Sequence, residues 1–367
     1  MDEIPDRVRG LIEASGLSRG DFARRIGLDD SKLSKSLGGI RRFSSLDLAR
    51  IADECDVTVD WLVTGIEPAL AMAARTTTGE AHTAVEAASR YSTMRSDLAS
   101  LGFAQRWRPV PVPSDNGNYS EQGRLLAADA LARVQEAGRW VAETSLPQLA
   151  EDVFGADVAV IALDEGFDGL SACSAEARLI VLATSTVPWR QRYTCAHELA
   201  HLLSADDQGV HLDRDVFDRS QAKAPSEARA NAFAAAFLMP EKPLRDAVGR
   251  DGLTEAAFAA LACDLKVSPS ALAIRLSQLR LIDAGTCDRY KQLTGAKTAT
   301  MTGRGDEFAR WVAEANTLRP PGLLVRDAYA AYESGATTLR PYASLLGVDV
   351  DELRQALESE DGIQDPL

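Results

Sequence analysis

The stretch RQRYTCAHELAHLL, residues 190–203, is the most informative segment of this 367-residue chain. Within it, His197 and His201 are four residues apart, so on a helix both imidazoles lie on one face and can reach a single metal ion. Glu198 follows the first histidine directly, where its carboxylate can handle a proton. The stretch therefore predicts a metal-binding helix, and zinc is the metal that this spacing of histidines usually binds.

A catalytic zinc site needs a third protein ligand and an open position for water. The arrangement His-Glu-x-x-His-x-x-Gly-x-x-His is excluded, because Ser204 and Asp207 stand where it requires glycine and histidine. The candidate third ligand is Glu227, near the start of a predicted helix in SEARANAFAAAFLMP, residues 226–240. Asn231, one turn later, could support it. The same ligand set could also hold Mn²⁺.

These two segments together resemble the ImmA/IrrE-type metallopeptidases, whose fold is a reduced relative of the thermolysin-like zinc peptidases. The resemblance covers about residues 121–245. It implies one zinc ion per chain, held by His197, His201 and Glu227, with Glu198 as the catalytic base. The substrate class that it implies is a regulatory protein, either a transcriptional repressor or an antitoxin.

The resemblance also implies a division of labour in peptide hydrolysis. Zinc polarises the scissile carbonyl and activates water, while Glu198 takes the water proton and passes it to the leaving amine. A further donor must stabilise the oxyanion. The candidates for that donor are His211, Tyr193 and Arg192. Cys195 is expected to point away from the metal side of the helix, into the core.

Residues 1–66 are predicted to form a separate module of five short helices. Ser18 and Asp21 form a capping pair for one helix, Gly27 ends it, and Asp29 can cap the next helix. The apolar side chains expected to pack inside are Phe22, Ala23, Ile26, Leu33 and Leu37. The side chains expected to point outward, with the size and polarity that suit a major groove, are Ser31, Lys32, Ser34, Lys35 and Ser36.

The sequence of residues 17–63 resembles the phage-repressor (Xre-type) helix-turn-helix domain. The roles that the resemblance implies are base contacts by Asp30, Ser31, Ser34 and Lys35, and phosphate contacts by Arg19, Arg41 and Arg42. Asp29 and Asp30 depart from the family pattern, which usually has neutral or basic residues at these positions. An acid near phosphate weakens binding unless Asp30 accepts a hydrogen bond from a cytosine amino group. The alternative role is protein docking. A homodimer would be needed to read a palindromic operator.

The sequence as a whole predicts a multidomain, mainly α fold. The predicted parts are the helix-turn-helix domain at 1–66, a helical connector with a Pro-rich linker at 67–120, a central α+β zincin-like peptidase domain at 121–248, a helix-turn-helix-like module at 249–290 and an acidic helical module at 305–367. Buried strands are predicted at Val158–Leu163 and Arg178–Ala183, and helices at 121–142, 189–204 and 226–238. Ser268 could cap a further helix whose first turn holds Pro269. The outward set expected of the second helix-turn-helix comprises Lys266, Ser268, Ser270, Arg275 and Arg280.

Composition narrows the class of protein. The net charge of -14, from 40 basic and 54 acidic residues, argues against a protein that coats nucleic acid with its whole surface. Residues 305–367 hold 12 acidic and 5 basic side chains, whereas residues 31–42 hold four basic side chains and no acid. The five cysteines have no Cys-x-x-Cys spacing, so the sequence indicates neither a disulfide framework nor a metal site built from thiolates. The first residues lack a secretory pattern and no apolar run could span a bilayer, so we expect a cytoplasmic protein without membrane contact.

Two functional hypotheses follow from the sequence. In the first, a regulator binds operator DNA and uses a zinc peptidase centre to cleave a repressor or antitoxin in a stress, prophage or mobile-element circuit. In the second, the chain is a non-catalytic DNA-binding repressor or antitoxin whose peptidase fold acts as a sensor or a partner-docking domain. Replacing Glu198 with Gln separates the two, because it removes the base and preserves the ligands.

Overall fold

The computed structural model describes residues 4–55, 57, 59–64, 82–114, 118–142, 145–163, 167–205, 210–213, 225–249 and 252–361. The chain divides into two compact units, Met1–Thr77 and Thr78–Leu367. Among the described residues no single helix is both long and apolar enough to cross a membrane. Glu255–Leu265 and Pro269–Gln278 meet that criterion only as a pair with a 106° bend between them.

In the described part of the smaller unit, five helices pack around one apolar core. They are α1 (Ile4–Ser15), α2 (Arg19–Arg25), α3 (Asp30–Leu37), α4 (Ser45–Cys55) and α5 (Val59–Thr64). Ser18 caps α2 by accepting a hydrogen bond from the backbone N–H of Asp21 at 3.2 Å, as predicted. The five side chains predicted to pack inside the helix pair are all buried.

Two details of this helix pair differ from the prediction. Asp29 stands at the N-cap of α3, but its side chain makes no capping hydrogen bond and pairs instead with Lys32 at 3.1 Å. Ser36 was predicted to point outward and is buried, where its hydroxyl accepts a hydrogen bond from Arg41 at 2.9 Å. Helical spacing places Ser36 at the edge of the apolar face, and the arginine partner draws its hydroxyl inward.

The described part of the larger unit is a small sheet surrounded by helices. Its strands are β1 (Asp157–Ile161), β2 (Gly169–Cys173), β3 (Arg178–Ala183) and β4 (Val210–Asp213). Its first helices are α6 (His82–Ser100), α7 (Tyr119–Glu136), α8 (Leu146–Leu149, continued by a π-helical turn at Ala150–Phe154), α9 (Pro188–Ser204), α10 (Pro225–Leu238) and α11 (Glu241–Val248). The remaining helices are α12 (Glu255–Leu265), α13 (Pro269–Gln278), α14 (Ala284–Tyr290), α15 (Gly295–Met301), α16 (Gly305–Ala315), α17 (Gly322–Glu333), α18 (Arg340–Leu346) and α19 (Val350–Asp361).

The described sheet has the strand order β1-β3-β2-β4. β1 runs parallel to β3, with Val158 opposite Ile180, and the other two pairings are antiparallel. The free side of β1 is covered, because Val160 exchanges two backbone hydrogen bonds with Arg319, at 2.8 and 2.9 Å. β3 was predicted correctly, β1 is shorter than predicted, and β2 and β4 were not predicted.

Three helices stack beside the sheet and form the framework of the site. α9 packs on β2 and β3 and against α10, which in turn packs along α7. The contact between α7 and α10 is unusually close at Gly123, where a Cβ atom would lie 2.2 Å from the carbonyl oxygen of Arg229. Helix α9 was predicted at 189–204 and α10 at 226–238, and both are confirmed to within one residue. Helix α7 ends at Glu136, several residues before the predicted end at Ala142.

Residues 82–114 belong to the larger unit, although we expected them to lie within a connector between modules. Helix α6 packs against β3, β2 and α17. The Pro-rich segment after it is extended, with Val110 buried and the backbone N–H of Arg108 bonded to the carbonyl oxygen of Phe154 at 2.8 Å. Tertiary contacts thus hold a segment whose composition is typical of a linker.

Helices α12 and α13 share the core of the larger unit. Ser268 caps α13 by accepting from the backbone N–H of Ala271 at 3.1 Å, and Pro269 occupies its first turn, as predicted. Arg275 was predicted to point outward and is buried, where it donates to the carbonyl oxygen of Met239 at 3.3 Å. This contact removes it from the proposed outward set.

Candidate metal centre

Helix α9 brings the two histidines of the motif together. Pro188 suits the first turn because its fixed φ is helical, and Ala205 ends the helix in the left-handed conformation, with a φ of +50°. His197 and His201 lie one turn apart, with ring centroids 4.8 Å apart, and both are buried. The helix therefore places two imidazoles side by side in a site screened from solvent.

Helix α10 supplies the carboxylate. Glu227 lies in its first turn and is 6% exposed. The close contact of α10 with α7 and its packing against α9 fix where this turn stands relative to the histidines. A buried carboxylate is costly unless it is paired or bound to a metal ion, and here it faces two imidazole nitrogens.

The distances among the three donors fit one metal ion. The Nε2 atoms of His197 and His201 are 3.1 Å apart, and each lies 3.3 Å from a different carboxylate oxygen of Glu227. Two ligands placed about 2.0–2.1 Å from a tetrahedral zinc ion are roughly 3.3 Å from each other. The three measured separations are therefore close to those between ligands of one tetrahedral ion. Among the described residues, these three form the group of His, Cys, Asp or Glu side chains whose donor atoms lie close enough together to hold one metal ion.

Glu198 is fully buried beside the ligands. It follows His197 directly on α9. Its carboxylate is not one of the three converging donors. A carboxylate held out of bulk water next to a Lewis-acid site has the properties of a general base.

Tyr193 lies one turn before His197 on the same side of α9, with ring centroids 6.5 Å apart. Its hydroxyl donates to Oδ1 of Asn231 at 3.0 Å. Burial, followed by the negative charge of Glu227, raises the pKa of Tyr193 well above its ordinary value, so the hydroxyl remains a donor. Asn231, predicted as a supporting residue, thus orients a candidate oxyanion donor.

The other two oxyanion candidates have different surroundings. Arg192 is buried, donates to the carbonyl oxygen of Val141, and has a pKa lowered to about 10 by burial. It lines a cavity with Gln191 and Arg319 that includes none of the metal-ligating residues, so we withdraw it as an oxyanion donor. The backbone of His211 is paired with Ser171 in the sheet, but its side chain lies outside the described residues.

Cys195 lies in the core, as predicted from its position on α9. Burial raises the pKa of its thiol to about 12. Its side chain is therefore a neutral packing group, and it is not one of the converging donors.

In the smaller unit, the residues carried over from the helix-turn-helix resemblance fall into two groups. Those with exposed side chains are Arg19, Asp30, Ser31, Lys32, Lys35 and Arg42, whereas Ser34 and Arg41 are half-buried. Arg19 donates to Asp30 at 3.1 Å. Arg41 pairs with the buried Asp47 at 2.7 Å. Burial opposes ionisation of Asp47, but hydrogen bonds from Ser44 and Arg41 outweigh it and lower its pKa.

Gly123 was not predicted as important, although the position of α10 depends on it. The signal that could have identified it is the spacing of small residues along α7. Gly123, Ala127 and Ala130 recur at helical intervals and are all buried, and the Cβ of Ala232 of α10 lies 2.9 Å from the place that a Cβ of Gly123 would occupy. Small residues on two facing helices allow the backbones to approach closely.

The converging donors are those of a candidate metal centre, and comparisons with known proteins relate this part of the chain to metallopeptidases. Residues 135–277 match the family model described as the IrrE N-terminal-like domain, a peptidase family. The match extends past our predicted domain end at 248 and includes α12 and most of α13. It contains the two histidines, Glu198 and Glu227.

Two curated proteins are similar to this part of the chain. The radiation response metalloprotease IrrE of Deinococcus radiodurans is 31% identical over 160 residues, which is 42% of this chain and 49% of that protein. The protein of the same name from Deinococcus deserti is 33% identical over 104 residues, 28% of this chain and 37% of that protein. The chain thus spans about half the length of the first relative and little more than a third of the second.

Proposed function

We propose that this chain is a zinc-dependent peptidase that cleaves a regulatory protein, a repressor or an antitoxin, in the cytoplasm. The observation that carries the proposal is the convergence of His197, His201 and Glu227 at tetrahedral spacing beside the buried Glu198. The similarity to metalloproteases that carry "radiation response" in their names supports a stress circuit over a housekeeping role.

Each residue of the site has a distinct task in this proposal. A bound zinc ion supplies Lewis acidity to the scissile carbonyl and to the attacking water. His197, His201 and Glu227 hold the ion, and Glu198 accepts the water proton and returns it to the leaving amine. The single O–H of Tyr193, which Oδ1 of Asn231 accepts in this structure, would turn from that amide to the developing oxyanion.

The test compares cells that express the native chain with cells that express Glu198→Gln, and identifies new protein N-termini by mass spectrometry. We expect cleavage of one or a few DNA-binding regulators in the first and none in the second, because the amide cannot accept the water proton. Zinc content should be equal in both purified proteins, since Glu198 is not a ligand. Identical sets of N-termini would contradict peptidase activity.

A second candidate function is a non-catalytic sensor. It is favoured by the burial of the site, because the two histidines, Glu198 and Glu227 are each less than a tenth exposed. A peptidase must admit an extended peptide to these atoms. If regulation in the cell persists in Glu198→Gln and is lost in Glu227→Ala, metal occupancy rather than cleavage carries the function.

We also propose that the smaller unit binds operator DNA through α3. Its support is the set of exposed basic and small polar side chains on and after this helix, with Lys32, Lys35 and Arg42 among them. The Arg19 pair neutralises Asp30 at the helix start, which reduces repulsion from phosphate. A homodimer would place two such helices about 34 Å apart on a palindromic site.

DNA selected from a random duplex library tests this proposal. We expect Lys35→Ala and Arg42→Ala each to weaken binding of the selected duplex about tenfold, and loss of a phosphate contact to reduce the salt slope by about 1. Arg25→Ala is the matched control, because Arg25 is committed to Glu54 at 2.9 Å. Equal affinity in all three variants would move the DNA contact elsewhere or favour protein docking.

A further inference from the structure

A second cavity of the larger unit, of about 530 Å³, is lined by charged side chains. It is bounded by residues 102–108 after α6, by the π-helical turn that follows α8 and by the start of α17. The metal ligands are not among its lining residues. Its volume lies within the range of small-ligand sites, about 300–1,000 Å³.

The acids that line this cavity are neutralised from within the fold. Glu151 pairs with Arg319 and accepts a backbone N–H from Gly322 at 2.6 Å. Asp152 pairs with Arg139 at 3.1 Å. Asp327 is only 9% exposed, and its Oδ2 accepts a hydrogen bond from the buried Arg95 at 2.6 Å. Glu151 and Asp152 are therefore each paired with an arginine that does not line the cavity, and Asp327 is shared between Arg95 and Arg326.

The arginines that line the cavity are not neutralised in the same way. Arg106 and Arg108 are exposed, and among the described residues neither has a carboxylate within ion-pair distance; Arg108 makes only a long contact, 3.4 Å, to the carbonyl oxygen of Asp152. Arg326 pairs with Asp327 at 2.7 Å, a carboxylate that it shares with Arg95. The cavity thus has a local excess of positive charge on a chain of net charge -14.

The backbone that carries these arginines is held firmly. A Cβ atom at Gly155, whose φ is +77°, would lie 2.0 Å from the carbonyl oxygen of Arg106, so only glycine allows the two segments to approach this closely. Gln105 donates to Asp157 at 3.0 Å and accepts from the backbone N–H of Arg178 at 2.7 Å. The contacts of Gln105 and of the Arg106 backbone hold this segment in place, which reduces the entropy lost when its arginines are ordered around a ligand.

We propose that this cavity binds a small phosphate-bearing anion. Guanidinium groups present paired N–H donors that match phosphate oxygens, and no carboxylate in the described part of the chain lies within ion-pair distance of Arg106 or Arg108. The volume admits a ligand with two linked phosphates and a small organic group. This site is separate from the metal centre and does not depend on peptidase activity.

The experiment is isothermal titration calorimetry of the full chain with inorganic pyrophosphate at low ionic strength. We expect one site per chain, at least tenfold weaker binding in Arg106→Ala, and partial recovery in Arg106→Lys. The matched control is Arg310→Ala, an exposed arginine on α16 that does not line this cavity. Affinity should fall as salt rises, because exposed charges are screened.

Pyrophosphate could instead chelate a metal ion, so Glu227→Ala is titrated in parallel. Binding that survives in Arg106→Ala and is lost in Glu227→Ala would overturn the proposal, as would the absence of saturable binding to the native chain. Adenosine diphosphate in place of pyrophosphate separates the two sources of phosphate. Tighter binding of the diphosphate ester indicates a nucleotide site, and equal or weaker binding indicates a site for free phosphates.

Discussion

Glu227 contributes the carboxylate to a set of two imidazoles, and its removal leaves those imidazoles without an anionic partner. We expect Glu227→Ala, purified without added metal, to retain less than a tenth of the zinc of the native chain, because two histidines alone hold zinc weakly. The native chain should contain about one zinc per chain. Metal content by inductively coupled plasma mass spectrometry measures both.

Glu241→Ala is the matched control for this experiment, because Glu241 is half-exposed and pairs with Arg245, one turn along α11. It should keep the native zinc content. Full zinc content in Glu227→Ala would show that the carboxylate is not a ligand. A chelator should lower the melting temperature of the native chain and leave that of Glu227→Ala unchanged, since binding to the folded state alone stabilises it.

At the scale of single residues, the three side chains that the sequence predicted as metal donors converge in the structure, and helix geometry explains this for the two histidines. His197 and His201 are four apart, and any helix places them on one face. The outward prediction for Ser36 was wrong because its hydroxyl has a partner beyond its own helix, and the surroundings of Arg192 depend on a residue about 50 positions earlier in the chain. Arg41 draws Ser36 inward, and the carbonyl oxygen of Val141 receives a hydrogen bond from Arg192.

At the scale of elements, the close contact of α7 with α10 positions the first turn that carries Glu227. We expect Gly123→Ala to destabilise the chain by about 1–3 kcal/mol, the usual cost of overpacking, because the added Cβ would lie 2.2 Å from the carbonyl oxygen of Arg229. Chemical denaturation monitored by circular dichroism measures this loss. Displacement of α10 should also lower the affinity for zinc.

Gly305→Ala provides the comparison, since a Cβ at Gly305 in the first turn of α16 meets nothing within 4 Å. It should leave stability and zinc content unchanged. If Gly123→Ala behaved like Gly305→Ala in both measurements, the two helices would not be in the close contact described. That result would also remove the reason for Glu227 to stand where it does.

Helices and strands were predictable from the sequence where they are long or where their apolar residues recur regularly. β3 is a run of apolar residues, and α9 and α10 are long and regular. β2 was missed because Gly169, Ser171 and Ala172 have little strand preference, and its place between β3 and β4 comes from pairing. The role of α6 was missed because Ala-rich periodicity shows that a helix forms without showing what it packs against.

At the scale of the larger unit, a buried ion cluster joins elements that are far apart in sequence. Arg95 of α6 donates to both oxygens of Asp157 in β1, at 2.8 and 2.9 Å, and to Asp327 of α17 at 2.6 Å. Arg95 is fully buried. The acidic C-terminal module is thereby tied to the strand next to the metal-bearing framework, which no local pattern could predict, because the three residues span 232 positions.

Arg95→Met tests whether this cluster holds the larger unit together. Methionine approximates the volume but removes the charge, and we expect a loss of about 3–5 kcal/mol in the free energy of unfolding, because the buried Asp157 loses its cationic partner and Asp327 keeps only Arg326. Arg90→Met, at an exposed position of the same helix, should have little effect. Adding Asp157→Asn to Arg95→Met should restore part of the loss, since the amide removes one unpaired charge.

The pH dependence of this loss gives an independent check of its electrostatic origin. Burial raises the pKa of Asp157 to about 6 even with Arg95 present, so the carboxyl holds its proton more tightly in the folded chain than in the unfolded chain, whose value is about 3.9. The stability gained from that proton is complete below the unfolded pKa and is lost as pH rises through about 6. Without Arg95 the pKa should rise further, and the penalty of Arg95→Met should therefore be smaller at pH 6 than at pH 8 in urea denaturation. A penalty that is equal at both pH values would mean that Arg95 stabilises the unit through packing of its side chain, and that the tie between α6, β1 and α17 is not ionic.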